Sequence, residues 1–250
     1  MEMTLVVFGI ILIAFLCEYM DAALGMGYGT TLTPLLLILG FKPLEVVPTV
    51  LLSQFVTSIT AGFFHHRLGN VNFSRGSLHL RIVSILVISG IFGSVVAVMI
   101  AIKLPPHILK LYIGGIICLV GLLTLANFNR QYNFSWGKIT GLGLVAAFNK
   151  GLSGGGYGPV VTGGQILSGL NGKNAIGITS LAEGLTCLVA FLLYVQTKSL
   201  ASWSLVPYVL AGAILSVPFS VATVKKLDTK TLHLAIGGIT TLLGIVTLVR

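Results

Sequence analysis

The sequence predicts an all-α, polytopic membrane protein built from two inverted-topology repeats, each starting with a broken or re-entrant helical hairpin. Three observations carry this. The 250-residue chain is 55% hydrophobic and 8% charged, with a mean hydropathy of +1.01, whereas a soluble domain carries about 25% charged residues. Apolar runs of roughly 18 residues or more, long enough to cross a bilayer, occur at 3–20, 44–64, 82–102, 106–126, 175–196, 203–223 and 231–249. A glycine-rich stretch, LGMGYGTTLTP near residue 25, returns as SGGGYGPVVTGG at 153–164.

The run 3–20 has the apolarity of a secretion signal but not its flanks. No basic residue opens it, Glu2 precedes it, and no small-residue cleavage site follows before Glu18, so it is expected to stay as a membrane segment. Cys17, Cys118 and Cys187 all fall within apolar runs, with neither the number nor the spacing of a disulfide framework or a metal site. The net charge of +9 is scattered between the spans. That placement fits loops that set topology and gives no nucleic-acid surface.

Laying the second half on the first at an offset of 129 residues puts Gly25, Gly27, Tyr28 and Gly29 on Gly154, Gly156, Tyr157 and Gly158, with Thr33 on Thr162 and Gly40 on Gly169. Further on, at an offset of 123, LYIGGIICLVGLLTL (111–125) matches LHLAIGGITTLLGIVTL (232–248) through Gly114, Gly115, Gly237 and Gly238, mid-span glycines that suit close helix packing. The expected organisation is repeat 1 over 1–126, a basic cytoplasmic linker over 127–138 (NFNRQYNFSWGK) and repeat 2 over 139–250, together one transport domain.

Lysine and arginine placement decides how the repeats point. With an odd number of crossings per repeat, one side receives Arg67, Arg75, Arg81, Arg130, Lys138, Lys173, Lys225, Lys226 and Lys230, and the other only Lys42, Lys103, Lys110, Lys198 and Arg250. An even number divides them equally. The positive-inside rule favours the first arrangement, hence inverted repeats with both termini outside. Odd parity requires 3–40 to enter and return. The second limb, about 30–40, has only about 16 Å of helix against a core of about 30 Å. The same holds for 139–150 followed by 159–170, so each hairpin is broken at a glycine tip inside the membrane.

Irregular backbone at membrane depth survives where protein or a cavity satisfies it, and glycine permits both the turn and a close approach. Each tip runs straight into a helix, and Pro159 suits a first helical turn. Helix N-termini present N–H groups and the positive end of the dipole to anions. The candidate binding set is therefore Gly25, Gly27, Tyr28, Gly29, Thr30 and Thr31 from the first tip, with Ser153, Gly154, Gly155, Gly156, Tyr157, Gly158 and Thr162 from the second. The threonines offer hydroxyl donors; the two tyrosines either do the same or wedge the hairpins. The first limb of each hairpin aims its carbonyl end at the tip, which leaves room for a coupling cation, a proton or sodium.

Ionisable residues inside spans are functional suspects. Asp21 and Lys150 occupy equivalent repeat positions before the tips. Two readings of Lys150 follow: an ion pair with Asp21 across the repeat axis, or attraction of the anion with Asp21 tuning it. Glu183 matches Gln54, each in the middle third of its span. Glu183 is either a proton carrier or a hydrogen-bonded packing group, and Gln54 a polar lining. Glu18 lies one turn before Asp21 and is set aside. His65, His66 and His79, with Arg67 and Arg75, are expected in a solvated interfacial loop. No Walker loop, dinucleotide turn, HExxH or nucleophile elbow appears, so neither an enzyme nor a cofactor is expected.

The motif DAALGMGYGTTLTPLLLILGF, its echo NKGLSGGGYGPVVTGGQILSG, the basic central loop and the chain length together resemble the TauE/SafE family, the sulfite exporter or toluene-sulfonate uptake permeases. The resemblance spans essentially the whole chain. It departs at Leu24 and Met26, where the second tip has Ser153 and Gly155. It implies a secondary transporter in a prokaryotic cytoplasmic membrane, moving sulfite, sulfoacetate or other organosulfonates, often outward. The other readings are an anion channel using the same site and a membrane subunit that needs a partner protein.

Overall fold

The computed structural model describes residues 2–25, 27–126, 135–168, 170–197, 203–223, 238 and 241–249. Among the described residues the regular structure is helical: α1 (Glu2–Leu24), α2 (Tyr28–Ile38), α3 (Pro43–Arg67), α4 (Leu78–Ala101), α5 (Pro106–Ala126), α6 (Trp136–Ser153), α7 (Tyr157–Leu167), α8 (Gly172–Gln196) and α9 (Val206–Thr223). A further helical segment covers 241–249. Of these, Val6–Leu24, α3, α4, α8 and α9 are long and apolar enough to cross a membrane, which makes the chain a multi-pass membrane protein. The expected run at 231–249 is described only at 238 and 241–249, and the linker only from residue 135. Trp136 already begins α6, so the end of that linker is helical.

Local chemistry sets the boundaries. Ser77 accepts a hydrogen bond from the Leu80 N–H (3.2 Å) to cap α4, and Asn171 accepts from the Lys173 N–H (3.0 Å) to cap α8. Pro43 opens α3, where its missing N–H is harmless. The two short helices, α2 and α7, have 11 residues each, about 16 Å of rise. Three residues separate each from the long helix before it: 25–27 after α1 and 154–156 after α6.

The packing between the halves is reciprocal. The first helix of the first half, α1, packs on the last long described helix of the second, α9, while α6 packs on α4. Between these pairs α3 and α8 pack on each other and are the most enclosed of the five long apolar helices. Both outer crossings are close: a Cβ on Gly212 would meet the Ile11 carbonyl oxygen, and one on Gly93 would lie 3.0 Å from the Phe148 nitrogen. The outward faces stay apolar, with Phe8, Leu12 and Leu16 on α1, Ile88, Phe92 and Val96 on α4, and Leu215 and Phe219 on α9 all exposed. A soluble surface rarely leaves so continuous a belt; hydrocarbon chains satisfy it. Of the mid-span glycines, Gly114 is a packing glycine, since its Cβ would lie 2.9 Å from Leu248, whereas Gly115 and Gly238 face open space.

One interfacial expectation is corrected. His66 is exposed and His79 half-exposed, but His65 is fully buried. The chain turns back after α3, so that Asn70 reaches the His65 Nδ1 (3.1 Å) while Nε2 stands 3.3 Å from the Ala22 carbonyl on α1. Histidine is thereby spent on fixing the loop to α1.

Candidate functional site

Every tip residue named from the sequence is buried. Each tip is built alike. Gly25 at φ +67° and Gly154 at φ +71° end α1 and α6 in the left-handed conformation that glycine adopts freely. Their N–H groups return to Asp21 O (2.6 Å) and Lys150 O (2.8 Å). Gly27 (φ +130°) and Gly156 (φ +80°) then turn the chain into α2 and α7.

The tips touch through bare backbone. A Cβ on Gly29 would fall onto the Gly154 carbonyl, and one on Gly155 would lie 2.8 Å from the Gly29 carbonyl carbon and the Thr30 nitrogen. The flanking contacts mirror each other. Thr162 lies against Gly25 and donates to its carbonyl (2.7 Å), while Thr33 lies against Gly154. The Thr162 oxygen in turn shares a hydrogen bond with the Thr179 hydroxyl (2.9 Å), which must donate; Val50 stands in the matching place beside Gly154 and offers none, leaving the Thr33 hydroxyl without a partner.

The hydroxyls of Thr30, Ser153 and Tyr28 are committed internally, whereas the buried Tyr157 hydroxyl has no hydrogen-bond partner. Thr30 donates to Gly27 O (3.2 Å). Ser153 donates to Asn149 O (2.7 Å) and accepts from the Gly155 N–H (3.1 Å). Tyr28 shares a 2.6 Å hydrogen bond with Ser53 on α3. Thr31, Gly158 and the Tyr157 side chain are buried beside them.

The ionisable residues form one chain through the middle of the fold. Lys150 on α6 pairs with Glu183 on α8 (2.7 Å) and donates to Gln54 Oε1 on α3 (3.1 Å). Gln54 Nε2 donates to Asp21 Oδ2 on α1 (2.7 Å), and Asp21 Oδ1 accepts from the Tyr28 N–H (3.2 Å). The order is therefore Asp21–Gln54–Lys150–Glu183. Lys150 takes Glu183 as its carboxylate, and Gln54 fills the space toward Asp21. Amide groups suit this task, because Gln54 turns an acceptor to the ammonium and a donor to the carboxylate.

This chain makes the two helix starts unequal. At α2 the first-turn Tyr28 N–H already faces an anion, the Asp21 carboxylate. At α7 the residue in the place of Asp21 is Lys150, which has no acceptor to offer. The second tip thus has no carboxylate at the matching chain position before its helix, and the positive N-terminal end of that helix dipole is left to an added anion.

Sequence reasoning passed over one buried group. Glu18 is 0% exposed and both of its carboxyl oxygens lack a hydrogen-bond partner. Its place one turn before Asp21 was the available signal. Among the described residues no group of three or more His, Cys, Asp or Glu is placed to hold a metal ion.

Comparison with known proteins agrees with this architecture. The family model for the sulfite exporter TauE/SafE matches residues 10–247. The probable membrane transporter protein YtnM of Bacillus subtilis (strain 168) is 30% identical over 253 residues, covering 95% of this chain and 81% of that protein. No solved structure matches the chain at a significant level. A glycine-tipped, multi-pass helical membrane protein matched over nearly its whole length in this way belongs to the TauE/SafE family of membrane transporters.

Proposed function

We propose that the chain is a secondary transporter that exports a small sulfur oxyanion, sulfite or an organosulfonate such as sulfoacetate, by alternating access. The observation that carries the reading is the inequality of the two tips: the Asp21 carboxylate accepts from the first N–H of α2, whereas the equivalent residue before α7 is Lys150, which brings no carboxylate to that helix start. An oxyanion then binds chiefly at Ser153–Gly158, with the first tip closing over it. The name of the family supports sulfite, and YtnM is named a probable membrane transporter.

The direct contact of Gly29 with Gly154 and Gly155 supports a closed conformation that must part to admit an anion. Rocking one half against the other separates the tips without breaking the hydrogen bonds inside either. The reciprocal pairing of α1 with α9 and α6 with α4 supports two inverted repeats about a shared axis. In this reading both termini face outward and the basic linker lies in the cytoplasm. The cell membrane is then the prokaryotic cytoplasmic membrane.

The test is flux of labelled sulfite and of labelled sulfoacetate into proteoliposomes holding the purified protein. Saturable uptake accelerated by unlabelled anion inside is the expected result. Conductance without exchange would replace the transporter with a channel. Absence of flux for both anions, in protein shown to be folded, would overturn the substrate class.

A further inference from the structure

The chain Asp21–Gln54–Lys150–Glu183 leaves one buried carboxyl out. Glu18 sits on α1 at 0% exposure, and neither oxygen finds a donor. The ammonium of Lys150 is held by Glu183 and Gln54. Three carboxyl groups, Glu18, Asp21 and Glu183, therefore share one cation. Asp21 has the Gln54 amide and the Tyr28 N–H, and Glu183 has Lys150. Glu18 has none of these.

The groups facing Glu18 from each neighbouring element sharpen its state. On its own helix are Cys17 and Asp21; α2 contributes Tyr28, whose hydroxyl is tied to Ser53; α6 contributes Lys150; and α8 contributes Glu183 and Cys187. From α3 the Thr57 side chain faces it. His65 on the same helix turns instead to Ala22. The titratable residue of α9, Tyr208, stands near the start of that helix.

Thr57 already donates its hydroxyl hydrogen to Ser53 O (3.1 Å). While that bond stands, the single hydroxyl hydrogen of Thr57 is not available to a carboxylate at Glu18. An ionised carboxylate with no donor is the costliest state this side chain has inside a membrane, and a bound proton removes that cost. Sodium is the other ion a buried carboxyl can take; as a hard cation it needs a shell of several oxygens, and its gradient is one arm of the test below.

We propose that Glu18 is a proton-binding site and that its proton is the one coupled to anion movement. The coupling half rests on the transporter reading above. In the closed conformation the carboxyl holds a proton. Parting of the tips, which begin about two helical turns beyond at Gly25, wets the site and releases that proton to the water on the open side.

Two measurements test this separately. Infrared spectra of the purified protein in light and heavy water should contain a deuterium-sensitive carboxylic-acid carbonyl band that disappears in Glu18→Gln and persists, shifted, in Glu18→Asp. A band unchanged by Glu18→Gln overturns the proton site, whatever the protein transports. In proteoliposomes, the ratio of labelled sulfite flux with and without a pH gradient should exceed one for the wild type and for Glu18→Asp, and fall to one for Glu18→Gln. A ratio unchanged by Glu18→Gln overturns the coupling role. A sodium-gradient response lost in the same variant overturns the choice of proton over sodium. Absence of flux of sulfite and sulfoacetate in the folded wild type overturns the transport reading and the coupling together, with the infrared band still deciding the proton site.

Discussion

Gly29 and Gly154 meet backbone to backbone where the two halves of the chain cross, at a distance that leaves no room for a methyl group on Gly29. Two irregular segments, each unable to satisfy itself in hydrocarbon, enclose one another there. The glycines are consequently a requirement of the crossing as well as of the turns, and the two requirements fall on different residues. Gly25, Gly27, Gly154 and Gly156 supply the positive φ values; Gly29 and Gly155 supply the close approach.

Gly29→Ala drives a Cβ into a carbonyl that has no freedom to rotate away, so a loss of about 1–3 kcal/mol or more is expected, the usual range for overpacking. Gly115→Ala, also in a helix but facing open space, should be neutral or stabilising by up to about 1 kcal/mol. Thermal unfolding in one detergent checks both. Equal effects would mean that the tips are not in contact.

Lys150→Met strands the Glu183 carboxylate in the protein interior, at a cost of about 3–5 kcal/mol. Adding Glu183→Gln removes the stranded charge and should restore most of that stability. Flux separates the two roles of Lys150. If the ammonium attracts the substrate, the double variant recovers its fold while its apparent affinity for sulfite stays reduced; full recovery of affinity would make the lysine purely structural.

Thr162 and Thr33 occupy equivalent positions with unequal partners. Thr162→Val removes the hydrogen bond to Gly25 O between the halves and should cost about 0.5–1.5 kcal/mol. Thr33→Val removes a hydroxyl that has no partner, so it should cost nothing or stabilise. Melting temperatures of the two variants, measured side by side, give the comparison.

The turn between α3 and α4 carries Arg75 and lies between Arg67 and Arg81. Inverted repeats with outward termini place it in the cytoplasm. A cysteine at Ser74, an exposed position, should therefore resist a membrane-impermeant thiol reagent in intact cells and react after the membrane is opened. Reaction in intact cells would reverse the orientation.

How much of this was legible depends on how local the signal is. The breaks at 25–27 and 154–156 announce themselves, because glycine acts on its own backbone and the stretch occurs twice. The partners of Lys150 do not, because they depend on how α3, α6 and α8 are rotated against one another. Equivalence of Asp21 and Lys150 suggested a direct pair; Gln54, from a third helix, stands between them. Glu18 was passed over because the repeat assigns Ala147 to its place, so comparison of the halves carried no echo of it. His65 looked like its charged neighbours and differs from them only because Asn70 folds back.

The unlike residues at positions 21 and 150, and at 54 and 183, decide whether either half of the chain could serve alone. Two copies of the first half would bring aspartate and glutamine to this centre and no ammonium; two copies of the second would bring lysine and glutamate and no amide. Neither pair rebuilds the chain Asp21–Gln54–Lys150–Glu183, so the polar centre is a property of the joined halves.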